Sequence, residues 1–252
     1  FGYLAITPLH MFIFQKNYNM PFSYFPHSGH LWFLGNIFIY VLLLSPLFFY
    51  LKKHNNGKFK KAVSSVMKYA IGPLSMSVFF VLEVVIINPQ LFELYAMTWH
   101  GFFIGLLAFF LGFLFVYSGK SFWKTVSKWK WLYIGIAAFL YTIRLTGFET
   151  ISTNYITAIE SNCWIFGVFG LGYHYLNKPS ALLSYLSQAA YPVYIIHMFV
   201  LFTGALIILP LEIHPLLKFI VITLFTLIAC FLIYEYIIKR INILRPLFGL
   251  KI

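Results

Sequence analysis

The chain has 252 residues, of which 61% are hydrophobic, 21% aromatic and only 10% charged, with a net charge of +12. A water-soluble domain carries about 25% charged residues, so an ordinary soluble fold is excluded, and the mean hydropathy of +0.84 points to lipid as the solvent. In a soluble protein 18 Lys and Arg against 6 acidic residues would suggest nucleic acid; here the order of the basic residues makes the excess a matter of membrane orientation, and no nucleic-acid partner is expected.

The apolar run Phe1–Phe14 has no charged n-region and no small-residue cleavage site, so it is not a signal peptide. It reads as the remnant of a span in a chain cut into from its N-terminal side. A membrane helix needs about 20 mostly apolar residues at roughly 1.5 Å each. Counting forward by that rule predicts full spans at 31–51, 69–88, 98–117, 131–147, 155–175, 189–210 and 215–238. The expected fold is all-α: a polytopic integral membrane helical bundle of seven full transmembrane helices plus the remnant, with residues 1–252 forming one domain. The segment 15–29 is the longest connection on its side.

Charge fixes the expected orientation. Lys52, Lys53, Lys58, Lys60, Lys61 and Lys68 crowd the first inter-span loop, and Lys120, Lys124, Lys128 and Lys130 fill the third. With Lys178 and the tail residues Lys239, Arg240, Arg245 and Lys251, one side holds fifteen of the 18 basic residues. The intervening loops 88–97, 147–154 and 210–215 have none. By the positive-inside rule, loops 52–68, 118–130 and 176–188 and the C-terminus are cytoplasmic.

A charge at mid-bilayer costs about 2.5–3.5 kcal/mol on insertion scales, so each needs a partner, a cavity or a role. Glu83, Arg144 and Glu160 fall in the outer half of their predicted spans. With His30, Trp32, Asn36, Trp99 and His100 they form a polar belt at one depth, either a pocket for a hydroxyl-bearing acceptor or a structural Glu–Arg pair among interfacial histidines. A second constellation is Tyr191-Pro192-Val193-Tyr194-Ile195-Ile196-His197, in which Tyr191, Tyr194 and His197 share a helix face. Pro192 is placed near that helix's start, where its missing N–H costs little. With a span starting at 189, His197 lies roughly 12 Å in from the cytoplasmic side. His30 and His197 are therefore expected in opposite leaflets, not in contact, marking two ends of one cross-membrane path. His10 has no assignment, and His54, His174 and His214 read as loop or helix-end residues.

Cys163 and Cys230 lie in apolar helices without a CxxC or Cys/His cluster, so buried free thiols are expected and neither a disulfide nor a metal site is. No GxSxG, HExxH, P-loop or GxGxxG element is present. Gly101, Gly105, Gly112, Gly167, Gly170 and Gly172 are expected at close helix contacts.

These residues resemble the membrane-bound acyltransferase 3 family, which includes glucan-modifying and O-antigen-modifying O-acyltransferases. The resemblance rests on Gly29-His30-Leu31-Trp32-Phe33-Leu34, Trp99-His100-Gly101-Phe102-Phe103, Phe169-Gly170-Leu171-Gly172, Leu176-Asn177-Lys178-Pro179-Ser180, the Tyr191–His197 stretch and Leu244-Arg245-Pro246-Leu247-Phe248-Gly249-Leu250-Lys251. It implies an inner-membrane enzyme of about ten spans that moves an acyl group such as acetyl or succinyl from cytoplasmic acyl-CoA to a carbohydrate or glucan hydroxyl. Acyl-CoA is then a co-substrate, with no bound cofactor. The family's proposed catalytic histidine belongs to its first span, expected upstream of Phe1, so the piece alone is expected to be inactive. Within this chain, His30 and Glu83 are the candidates for base assistance. Trp32, Asn36, Trp99, His100, Arg144 and Glu160 are candidates for the acceptor side, and Tyr194 and His197 for the donor path. The alternative is a transporter or flippase for a lipid-linked sugar or small anion, which inverted repeats would favour; none is visible. A membrane sensor or structural subunit is a third reading.

Overall fold

The structure, a computed structural model, describes residues 5–24, 29–55, 57–146 and 153–251. Its elements are α1 (Thr7–Asn17), α2 (Trp32–Lys53), α3 (Lys58–Val66), α4 (Ile71–Ser75), α5 (Ser77–Ile87), α6 (Trp99–Tyr117), α7 (Lys120–Leu145), α8 (Thr153–Leu171), α9 (Ala181–Ile208), α10 (Pro215–Ile233) and α11 (Leu244–Leu247). A 3₁₀ turn, Gly29–Leu31, leads into α2, and π-helical turns extend α8 (Gly172–Leu176) and α10 (Tyr234–Ile238). Among the described residues the architecture is all-helical.

Among the described residues four stretches are long and apolar enough to cross a membrane: Gly29–Lys53, Trp99–Tyr117, Ala181–Ile208 and Pro215–Ile238. A fifth would be the pair Lys58–Val66 and Ile71–Ile87, bent by 105° at its break. Only 11% of the most apolar part of the first stretch and 6% of that of the last is buried, leaving apolar faces that lipid, not water, would cover.

The seven predicted spans are thus not all matched. The predicted 69–88 helix is divided into α4 and α5. The predicted loop 118–130 is helical, because α7 runs unbroken from Lys120. Lysine is a good helix former, so a basic stretch did not end the helix; with those charges α7 falls short of a span by composition. Asn154, Glu160 and Asn162 dilute α8 in the same way. The start of α9 also moves, from 189 to Ala181, where the Ser180 side chain caps it by accepting from the Leu183 amide at 3.1 Å. Pro192 therefore lies well inside α9 and not near its start, and it leaves the Gln188 carbonyl without its helical donor.

The chain divides into two compact units, Phe1–Trp32 with Pro179–Ile252, and Phe33–Lys178. In the first, α1 and α10 both pack on α9. Ala189, Ile195, Ile196, Val200, Cys230, Tyr234, Ile238 and Phe248 form its core. Gln15 closes the turn after α1, donating to the Ser23 carbonyl at 2.7 Å and accepting from the Ser23 amide at 2.9 Å.

In the second unit α7 lies along α8, and α5 packs against α6 and α8. Phe115 stacks on Phe122 with ring centroids 4.3 Å apart, and Phe166 meets both edge-on. The α7–α8 approach requires Gly170, where a Cβ would stand 2.3 Å from the Val126 carbonyl oxygen. Gly105 and Gly167 also sit at close contacts, whereas a Cβ at Gly112 or Gly172 would meet nothing within 4 Å, against expectation. Cys163 and Cys230 are buried free thiols.

Candidate active site

In the first unit a buried Gly29 with φ +49° turns the chain into the 3₁₀ turn that carries His30. That left-handed conformation suits glycine and strains other residues. His30 then meets α9 at two successive residues. Its Nε2 is 3.0 Å from the Ile195 carbonyl oxygen, and its own carbonyl accepts from the Tyr194 hydroxyl at 2.8 Å.

These contacts settle the proton positions. A carbonyl oxygen only accepts, so Nε2 of His30 carries the hydrogen and, in the neutral ring, Nδ1 carries the lone pair. That Nδ1 is buried and has no hydrogen-bond partner among the described residues. His197 is set the opposite way: its Nδ1 donates to the Tyr194 carbonyl at 2.6 Å, so that in the neutral ring Nε2 would carry the lone pair. The two rings meet edge to face with centroids 5.4 Å apart. His10, from α1, lies edge-on to His30 at 5.4 Å and stacks on Phe202 at 5.1 Å.

The expectation that His30 and His197 lie in opposite leaflets without touching is therefore wrong. Because α9 starts eight residues earlier than predicted, His197 stands about 12 Å further along its helix than the sequence count placed it. His10 is the member of this group that sequence reasoning left unassigned. Its neighbour Phe202 is far away in sequence, and the run Thr7–Phe14 contains no local signal for it. Among the described residues no group of three or more His, Cys, Asp or Glu side chains is placed to hold a metal ion.

The second unit holds a separate polar network. Glu83 of α5 and His100 of α6 face each other, with His100 Nδ1 at 2.9 and 3.0 Å from the two carboxyl oxygens, and both side chains are almost fully buried. The other ring nitrogen donates to the Phe92 carbonyl at 3.1 Å. The wiring suits an imidazolium–carboxylate pair or a neutral imidazole accepting from a carboxylic acid, and the pair is uncharged overall in both cases. His100 thus joins α6 to the connection after α5. Asn154 joins α8 to the same connection, accepting from the Phe92 amide at 3.0 Å and donating to the Pro89 carbonyl at 2.7 Å.

Arg144 at the end of α7 donates through Nε and Nη2 to both oxygens of Glu160, at 3.0 and 3.2 Å, and through Nη1 to Glu93 at 3.1 Å. Of the two readings of the polar belt, a Glu–Arg pair is present, between Arg144 and Glu160, with Glu93 as an additional partner. Trp99 is 71% exposed and stacks on Phe103. Asn36 is half-buried and hydrogen-bonds Tyr40, whose hydroxyl donates to the Phe102 carbonyl at 2.7 Å. Trp32 is half-buried at the start of α2.

The profile of the acyltransferase 3 family, described as an acyltransferase domain, matches residues 1–235. The chain belongs to the acyltransferase 3 family. Comparison with curated proteins and with solved structures gives no match. For a member of this family, an integral membrane acyltransferase, two facts matter most: where acid–base groups are held, and how firmly. In this chain His30 Nδ1 is buried without a hydrogen-bond partner among the described residues, whereas Glu83, His100, Arg144 and Glu160 are joined to one another or to backbone.

Proposed function

We propose that the protein is an O-acyltransferase that moves an acyl group, such as acetyl or succinyl, from acyl-CoA to a carbohydrate or glucan hydroxyl. In the orientation proposed here, the basic loops and the C-terminus face the cytoplasm of a bacterial inner membrane, where acyl-CoA is available. The observation that carries the site assignment is the buried, unpartnered Nδ1 of His30. In the reaction the acceptor oxygen attacks the thioester carbonyl carbon, the C–S bond breaks, and the thiolate leaves. His30 Nδ1 takes the hydroxyl proton as the oxygen attacks, and the proton is then available to the departing sulfur. Such a base contributes about 10²–10⁴-fold.

Tyr194 and the Ile195 carbonyl position the ring, which leaves His30 no choice of tautomer. His197, with its lone pair on Nε2, is a second acceptor for the proton or for a substrate hydroxyl. Trp32, two residues after His30 in the same unit, is assigned to the acceptor side, where its ring stacks on a sugar. Glu83, paired to His100, orients that ring and the connection behind it.

The test is acyl-CoA consumption by the full-length protein in vesicles, with and without a glucan acceptor. His30→Gln keeps an N–H for the Ile195 carbonyl but has no basic nitrogen, and His197→Asn keeps one for Tyr194. We expect His30→Gln to lower acceptor-dependent turnover by about 10²–10⁴-fold, with a smaller loss for His197→Asn. Wild-type turnover in both variants would refute the assignment.

A further inference from the structure

The first inter-span connection contains more than orienting charge. Helix α3 runs at 105° to the α4–α5 segment and, with the end of the α2–α3 turn, encloses an open cavity of about 530 Å³. The residues that line it, Asn55, Lys60, Lys61, Ser64 and Lys68, all carry polar or charged side chains. Lys60 and Ser64 are four residues apart on one side of α3, and Lys68 follows in the turn after the helix. Ser64 donates to the Ser118 carbonyl at 2.9 Å, which fixes α3 against the turn between α6 and α7. Lys60 donates to Asn55 Oδ1 at 2.8 Å and lies over the Tyr117 ring, 5.6 Å from its centroid.

Among the described residues no carboxylate lines this cavity. Glu83, Glu93, Glu160 and Glu235 are engaged elsewhere, with His100, Arg144, and Lys239 and Arg240. Three lysines thus border one space with no carboxylate among its described lining residues, so their like charges repel until an anion enters. The positive-inside rule explains why lysines are numerous in this connection, but it requires no convergence.

The geometry points to a phosphate-binding site formed by Lys60, Lys61 and Lys68, with the phosphate groups of coenzyme A or of an anionic phospholipid headgroup as its ligand. Lysine meets phosphate as a mobile point charge, so the site recognises phosphate charge and tolerates different groups attached to it. In the orientation proposed above it opens toward the compartment that contains CoA and at the level of the headgroups. The site depends on the acyl-CoA reading for only one of its two ligand sources.

The test uses the full-length protein in nanodiscs and reads binding without turnover, so loss of acyl transfer alone leaves the site standing. Coenzyme A binding is measured by calorimetry, and retention of phosphatidylglycerol by native mass spectrometry after exchange into phosphatidylcholine. The cavity variant is Lys60→Gln/Lys61→Gln/Lys68→Gln; the control with the same charge loss is Lys53→Gln/Lys58→Gln/Lys178→Gln, at exposed positions outside the cavity. At about a factor of five per lysine, the cavity variant should weaken its phosphate ligand on the order of a hundredfold, and the control should stay near wild type. Selective loss of coenzyme A affinity identifies the donor as the source, and selective loss of retained phosphatidylglycerol identifies the lipid. If cavity and control variants behave alike toward both probes, the site is overturned.

Discussion

The buried Glu83–His100 pair lends itself to a quantitative test, because isosteric and truncating changes at Glu83 should diverge sharply. In Glu83→Gln the wiring survives: His100 is neutral, Nε2–H still donates to Phe92, and Nδ1 accepts from the new amide, as the observed 2.9 and 3.1 Å contacts require. Its cost should be about 1 kcal/mol or less. In Glu83→Ala the same ring nitrogen faces a void between two nearly fully buried positions, and breaking a buried pair on one side costs about 3–5 kcal/mol. At roughly 2–4 °C per kcal/mol for a chain of this size, the alanine variant should melt about 6–20 °C lower and the glutamine variant within about 4 °C of wild type. His100→Ala should resemble Glu83→Ala, and the double alanine variant should lose less than the two single losses together, since neither polar group is then left stranded. The assay is thermal unfolding in nanodiscs, followed by tryptophan fluorescence, with turnover measured in parallel. If Glu83→Gln melts as low as Glu83→Ala, the pair needs its formal charges and the reasoning from wiring is refuted. If the glutamine variant keeps its melting temperature but loses turnover by about 10²-fold or more, Glu83 is a base and not a positioning residue.

Two further expectations follow from the second unit. Arg144→Lys replaces a guanidinium that holds Glu160 at two points and Glu93 at a third with a single ammonium, so about 1–2 kcal/mol should be lost; because Glu160 is only 5% exposed, thermal unfolding in high salt should show most of that loss still present. Gly105→Ala would place a Cβ 2.5 Å from the Tyr40 hydroxyl, for about 1–3 kcal/mol, and Tyr40→Phe in the same chain should restore part of the unfolding temperature despite giving up the bond to Phe102; an additive double variant would contradict the close contact.

The membrane class, the helical fold and the family were legible in the sequence because they depend on composition and on the order and spacing of short motifs along nearly the whole chain. The Gly29–Lys53 and Trp99–Tyr117 stretches were legible because apolar length alone defines them. The cost of isolated charge in an apolar setting left two readings open, an acceptor pocket or a Glu–Arg pair, and which glutamate meets Arg144 was not legible. What was not legible was helix continuation through polar residues. Ser184, Ser187 and Gln188 looked like a loop but form the first turns of α9, and Lys120 to Lys130 looked like a loop but form the first turns of α7. A helix needs only its backbone bonds and a cap, so the end of apolar sequence is not the end of the helix. That error moved His197 away from His30 on paper. The contact of His10 with Phe202 and His30 is tertiary, and nothing within α1 announces it.

The partners that fix the two imidazole tautomers are main-chain oxygens, those of Tyr194 and Ile195. Every residue type carries such an oxygen, so position 195 can drift among helix-compatible side chains while the proton on His30 stays where it is. Related chains could therefore share the same acid–base arrangement without sharing the residue that enforces it. A search for conserved side chains around these histidines would see the imidazoles and miss their supports. Substitutions that alter the course of α9, such as moving Pro192 by one residue, would change the protonation pattern without touching either ring.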